Sequence, residues 1–182
     1  MMRLRTLVFL ALLLAPLDAD VRGCQCDGSR PETLQVRECG LCLVAEQQPL
    51  DPPFFTIRDA SPNKPNRWLA LPRFHGESPQ QLAAMTVEQR TAYWTVAIAK
   101  AHEVWGDGWG IAINSLERRS QCHMHMHIGQ LKAESEDDNF VTVDGPAGIP
   151  LPRQSEGQWI HPVAGKLHAH WGDPAPELKL HP

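Results

Sequence analysis

Residues 122–129 read Cys-His-Met-His-Met-His-Ile-Gly, and their alternation organises the reading of the whole chain. In an extended strand successive side chains point to opposite faces. His123, His125 and His127 then share one face, while Met124, Met126 and Ile128 share the other. The Met/Ile face has the character of core. Three imidazoles in a row are not needed to finish a fold, so the histidine face is read as the functional one. The strand is expected to begin near Cys122 and to run to Leu131.

Working outward, Trp109 to Asn114 reads as a further strand, followed by a polar turn through Glu117, Arg118 and Arg119. Phe54 to Arg58 and Trp68 to Leu71 read as short strands. They flank a turn-rich loop, Asp59-Ala-Ser-Pro-Asn-Lys-Pro-Asn66, and Pro72 stops the second. After Ser78-Pro79 the pattern becomes helical. Thr86-Val-Glu-Gln89 fits a capping box, Trp94, Ile98, Ala101 and Trp105 recur at helical spacing, and Gly106 is placed to end the helix. That aromatic stripe is read as packing against a sheet.

Downstream, Glu134-Ser-Glu-Asp-Asp138 reads as a solvated loop. The tail holds Phe140 to Val143, a proline-rich stretch and Leu167-His-Ala-His-Trp171, in which His168 and His170 are read as a solvated strand. Residues 20 to 50 show no sustained periodicity and are read as a loosely structured lead-in. Strands, one good helix and more strands predict an α+β fold with an antiparallel sheet and one main helix packed on it.

Apolar residues make up 42% of the 182 positions and charged residues 21%, which is ordinary globular composition; 16 prolines predict long loops around a compact centre. A formal charge of −4 and a pI near 6.1 supply no overall basic field. This argues against a nucleic-acid polymer as partner but not against a small anionic ligand, which needs only a local positive site.

Arg3 and Arg5 precede an apolar run from Leu7 to Leu14 that Pro16 breaks. The run is too short to span a bilayer comfortably. A positive flank before a short apolar core is a secretory signal layout, with Ala19 a small residue for cleavage. The chain is therefore expected to be exported, to a periplasm or outside the cell; an uncleaved membrane anchor is the alternative. Export makes disulfides available. Cys24, Cys26, Cys39 and Cys42 cluster near the mature N-terminus, and Cys122 stands alone. Cys39-Gly-Leu-Cys42 has the spacing of half a zinc site or of a disulfide, and Leu43 in place of His excludes a c-type haem site.

Two chemistries compete for the histidine face. Histidines two apart on a strand are good metal ligands, but the ends of the triad lie about 13 Å apart at ~3.3 Å per residue, which strains three-on-one-metal coordination. Thioethers suit Cu(I), yet alternation places the methionines on the opposite face. The second chemistry is phosphoryl or nucleotidyl transfer. It needs a neutral imidazole nucleophile, donors around the phosphate oxygens and an acceptor that orients the nucleophile.

The pattern His-φ-His-φ-His-φ-φ resembles the signature of the histidine triad (HIT) superfamily, with Gly129 departing from the last apolar position. Phe55-Thr-Ile-Arg-Asp59-Ala-Ser-Pro, Trp68-Leu-Ala-Leu-Pro72 and His75 look like its aspartate-bearing and proline–histidine strands. Asn114 and Ser120 stand upstream of the triad as its nucleotide-site Asn and Ser do. Ile113-Asn-Ser115, the step from Asn114 to His123, and Glu77-Ser-Pro79 look most like the CDP-diacylglycerol pyrophosphatase branch. The chain is thus expected to divide into a signal peptide over 1–19, a polar cysteine-bearing lead-in over 20–38, a HIT-like catalytic domain over 39–131, the part the resemblance covers, and a C-terminal extension of short strands and loops over 132–182.

The resemblance also implies roles. His125 corresponds to the nucleophile, and His123 and His127 would orient it and bind phosphate oxygens. Ser120 would donate to the leaving oxygen from the preceding turn. Asp59 could accept from ribose hydroxyls, and Asn114 could hold the phosphate or the triad backbone. Arg118 and Arg119 could add positive charge. His75 belongs with the substrate side or, together with Cys39, Cys42 and His123, resembles the zinc set of some superfamily members; no cofactor is required, and a structural zinc competes with a disulfide. The expected activity is hydrolysis of a phosphoanhydride in a nucleotide or nucleotide–lipid such as CDP-diacylglycerol, beside a membrane, with a homodimer compatible with the superfamily. The alternative is an exported zinc- or copper-binding protein that uses the His and Cys clusters.

Overall fold

The computed structural model describes residues 21–75, 80–153 and 156–182. The expected signal segment over 1–19 and Glu77-Ser-Pro79 lie outside the described residues. Seven strands form one antiparallel sheet: β1 Phe54–Arg58, β2 Trp68–Pro72, β3 Trp109–Ile113, β4 Met126–Gln130, β5 Phe140–Val143, β6 Gln158–Val163 and β7 Lys166–Trp171. Their spatial order is β1-β2-β4-β3-β6-β7-β5. With helices α1 (Gly40–Glu46) and α2 (Val87–Trp105), the architecture is α+β.

Helix α2 begins as its sequence requires. The Thr86 hydroxyl accepts from the Gln89 amide at 3.2 Å, and the Gln89 side chain accepts from the Thr86 amide at 2.9 Å. It ends at Gly106, whose φ of +57° is a conformation costly for a residue with a Cβ. Its buried face, Tyr93, Trp94, Ala97 and Ala101, packs on Met124 and on Ile111, Met126, Ile128, Ile160 and Ala169 from one face of the sheet. The fully buried Tyr93 donates its hydroxyl to the Ala70 carbonyl at 2.7 Å, so the phenol adds apolar area without an unpaired donor.

The methionines therefore lie under α2, on the face opposite the histidines, as alternation predicts. The strand itself is shorter than expected. β4 begins at Met126, because β2 ends at Pro72, which has no N–H to continue a ladder. The backbone of 122–124 is satisfied elsewhere: Cys122 N–H donates to the Glu38 carbonyl at 2.7 Å, and Met124 N–H to Gln80 Oε1 at 3.0 Å.

The lead-in is more ordered than its sequence suggests. Short 3-10 turns at Pro31–Gln35 and Arg37–Cys39 run into α1, and disulfides Cys24–Cys122 and Cys26–Cys39 tie them down. β6 also went unanticipated, since Pro162 interrupts its pattern; it pairs with β3, so residues 158–171 continue the same sheet. No helix among the described residues is long and apolar enough to cross a membrane. The two disulfides are compatible with an oxidising setting.

On the face away from α2, the C-terminal segment lies across the sheet. Leu180 sits on Gly110 and Gly129, which are paired across β3 and β4. A Cβ on Gly110 would come within 2.6 Å of Leu180 Cδ2, and one on Gly129 within 3.3 Å of Leu180 Cβ. A side chain at either position would run into Leu180.

Candidate active site

The three histidines of the triad are all buried on the face away from α2. His125 Nδ1 lies 2.9 Å from the His123 carbonyl. A carbonyl can only accept, so Nδ1 carries the proton and Nε2 keeps its lone pair. Burial, only partly offset by that hydrogen bond, holds the ring's pKa down to about 4. His125 is thus a neutral imidazole of fixed tautomer at neutral pH.

His123 is committed differently from the expectation. Its Nε2 donates to the Pro72 carbonyl at 2.8 Å, its pKa is pushed down to about 3 by burial, and its Nδ1 is buried without a hydrogen-bond partner. A neutral ring so engaged has no proton left for a phosphate oxygen. What His123 supplies to His125 is its backbone carbonyl.

His127 stands edge-on to His125, ring centroids 4.9 Å apart, with Nε2 3.5 Å from Glu177 Oε2. Burial holds this ring well below its ordinary value. Glu177 is the centre of a cluster that the sequence did not reveal. Its carboxylate accepts from Asn114 Nδ2 at 3.0 Å, from Arg67 at 3.1 Å and from the Lys64 ammonium, and its own N–H donates to Asn114 Oδ1 at 3.3 Å. Burial opposes ionisation of Glu177, but His127, Lys64 and Asn114 outweigh it and hold the carboxyl at about 2. Arg67 further donates to the backbone carbonyls of Glu177, Leu180 and His181 at 2.9, 2.8 and 2.8 Å. Asn114 is therefore near the triad, but its amide clasps Glu177. Lys64 and Arg67 sit in and just beyond a loop that reads only as a turn; their partner is more than a hundred residues away.

The other expected residues are more dispersed. Asp59 accepts from the Ser61 N–H at 2.9 Å, shaping the loop after β1. Ser120 is exposed. Arg119 is buried, donates to the Gln80 carbonyl, and has its pKa lowered to about 10 by burial; it bears positive charge near His123 and His125. A cleft of about 50 Å³ is lined by Asn114, Ser115, Arg119 and Met124 among others, with none of the triad rings in its wall. It admits a water rather than a nucleotide.

The zinc set implied by the resemblance is incomplete as folded. Cys39 is bonded to Cys26, so Cys39 and Cys42 are neither a disulfide pair nor joint ligands. Cys42, His75 and His123 remain as a group whose ligand atoms lie within 4.8 Å of one another. The ring of His75 stands 4.9 Å from that of His123, and its Nε2 is 2.7 Å from Glu46 Oε1. Burial pushes the Cys42 thiol up to about 11, so without a bound cation it stays protonated. A second group, Glu136, His161, His168 and His170, could also hold a metal ion. His168 and His170 were expected in solvent; His170 is instead fully buried.

Searches against family models and curated proteins found no match to this chain.

Proposed function

We propose that the chain is a HIT-like hydrolase that cleaves a phosphoanhydride in a nucleotide or nucleotide–lipid substrate of the CDP-diacylglycerol type. The observation that carries this reading is the His125–His123 hydrogen bond, which leaves a buried, neutral imidazole with a free Nε2 lone pair. In the proposed step Nε2 attacks the phosphorus bearing the nucleoside. An N–P bond forms, the P–O bond of the anhydride breaks, and the departing phosphate monoester takes the electron pair. Water then cleaves the N–P bond, releasing the nucleoside monophosphate and free His125. Arg119 lies close enough to add positive potential as charge builds on the phosphoryl oxygens. On this reading His127, Asn114, Asp59 and Ser120 contact substrate, with Glu177 yielding its partners to the phosphate, and the enzyme works outside the cytoplasm beside a membrane.

The test is a comparison of kcat/KM for CDP-diacylglycerol, a dinucleoside polyphosphate and a nucleoside phosphoramidate. CDP-diacylglycerol is expected to be cleaved fastest, with CMP released. A tenfold advantage for either other class, about 1.4 kcal/mol in transition-state binding, would leave only a general nucleotide hydrolase. No turnover of any of the three would remove the enzyme reading. A metal-binding protein is the second reading, favoured by the free buried Cys42 beside His75 and His123.

A further inference from the structure

Outside the triad, the sheet gathers a second set of histidines that the hydrolase reading does not use. β6 and β7 form a tight hairpin through Ala164 and Gly165, both with positive φ. Its register sets His161 opposite His168 and Trp159 opposite His170. Ile160 and Ala169 point into the core beneath α2, so His161, His168 and His170 project from the other face. Glu136, in the loop between β4 and β5, reaches over them.

The donor atoms converge. His161 Nε2 is 2.8 Å from Glu136 Oε2, His168 Nδ1 is 3.0 Å from Glu136 Oε1, and His170 Nε2 is 3.4 Å from Glu136 Oε1. The Nε2 atoms of His161 and His170 are 3.3 Å apart. Four ligands at ~2.0–2.1 Å from a tetrahedral zinc ion are spaced about 3.3 Å from one another. The His161–His170 and His170–Glu136 separations match that spacing, and all four donor atoms lie within 4.8 Å of one another, close enough to close on one ion.

The surroundings hold the rings in place. His170 Nδ1 is 3.0 Å from Asp137 Oδ1, and a carboxylate can only accept; the proton therefore sits on Nδ1 and the Nε2 lone pair faces Glu136. A carboxylate behind a ligating histidine is the usual outer shell of a metal site. Trp159 stacks on His170 at 3.7 Å and 11°, and Phe140 on His168 at 4.0 Å and 15°.

We propose that Glu136, His161, His168 and His170 form a site for a divalent first-row transition metal, zinc above others, with Asp137 as the group that orients His170. Three imidazoles and one carboxylate suit zinc; calcium and magnesium favour all-oxygen shells, and Cu(I) favours sulfur. The site is separate from the triad. Cross-strand pairing runs His127–Ala112–Trp159–His170 along one row of the sheet, three strand spacings or roughly 14 Å. The ion would fasten the loop before β5 to the β6–β7 hairpin.

The full chain, stripped with a chelator, would be titrated with zinc by calorimetry and melted with and without the ion. The wild type is expected to bind one more equivalent than the His161→Ala/His168→Ala double variant and to gain a zinc-dependent rise in Tm that the double variant lacks. Cys42→Ala should keep that equivalent, which separates this site from the group at His75. If the double variant does not fold, Asp137→Asn serves instead, with an expected 10–100-fold weaker zinc affinity. Equal stoichiometry and Kd in wild type and double variant, or an unchanged Kd in Asp137→Asn, would overturn the site and leave a hydrogen-bonded cluster only.

Discussion

The Glu177 carboxylate lies 3.5 Å from the His127 ring, which joins the C-terminal segment to the triad. Because Arg67 holds the same carboxylate and three backbone carbonyls of that segment, the wall of the candidate site depends on residues from both ends of the fold.

Arg67→Ala is expected to destabilise the fold by about 3–5 kcal/mol, the usual effect of removing one partner from a buried ion pair. Glu177 would keep Lys64, so the lower end of that range is expected. Urea unfolding measures it. A change under about 1 kcal/mol, the level of a surface pair, would mean that the clasp does not hold the segment.

His125→Ala is expected to abolish turnover in a protein whose circular dichroism and melting are close to wild type. His127→Ala should cost about 10²–10³-fold, the scale for a group that stabilises charge without forming a bond. Full activity in folded His125→Ala would end the nucleophile assignment.

Stability should fall on acidification earlier than carboxylate titration would produce. The folded-state pKa values of His125 and His123 are about 4 and about 3, below the ordinary 6.5. Above pH 6.5 both rings are neutral folded or unfolded, and their contribution is complete. As pH falls from 6.5 towards 4 the unfolded chain takes up protons that the folded one refuses. Each ring then withdraws up to about 1.4 kcal/mol per pH unit. Denaturant midpoints that stay constant from pH 7 to 5 would contradict buried neutral rings.

Cys24–Cys122 closes a separation of 98 residues and anchors the lead-in immediately before His123. Loop-closure entropy gives about 4–5 kcal/mol for a cross-link of that span. The Cys24→Ser/Cys122→Ser variant, and the wild type under reductant, should melt well below the oxidised protein. Identical melting curves would show that the lead-in contributes nothing to the sheet.

Where a residue's neighbours lie close in sequence, its place was legible. The capping box at Thr86, the end of α2 at Gly106, strands β1, β2 and β3, and the division of Met and His between two faces all follow from local periodicity and turn chemistry. The start of β4 is not a local property, because Pro72, on another strand, ends the ladder there. The pairing of Cys39 with Cys26 rather than Cys42 was likewise beyond the reach of spacing.

The sequence by itself determined an α+β chain with a sheet bearing methionines on one face and histidines on the other, because side-chain alternation and helical period are properties of the local backbone. Tertiary structure decided which nitrogen of each histidine is engaged, that Glu177 meets His127 and Asn114, and that His161, His168 and His170 converge on Glu136. Those relationships arise from strand register and from the path of the C-terminal segment. Both are set by the packing of distant parts of the chain, which no local pattern encodes.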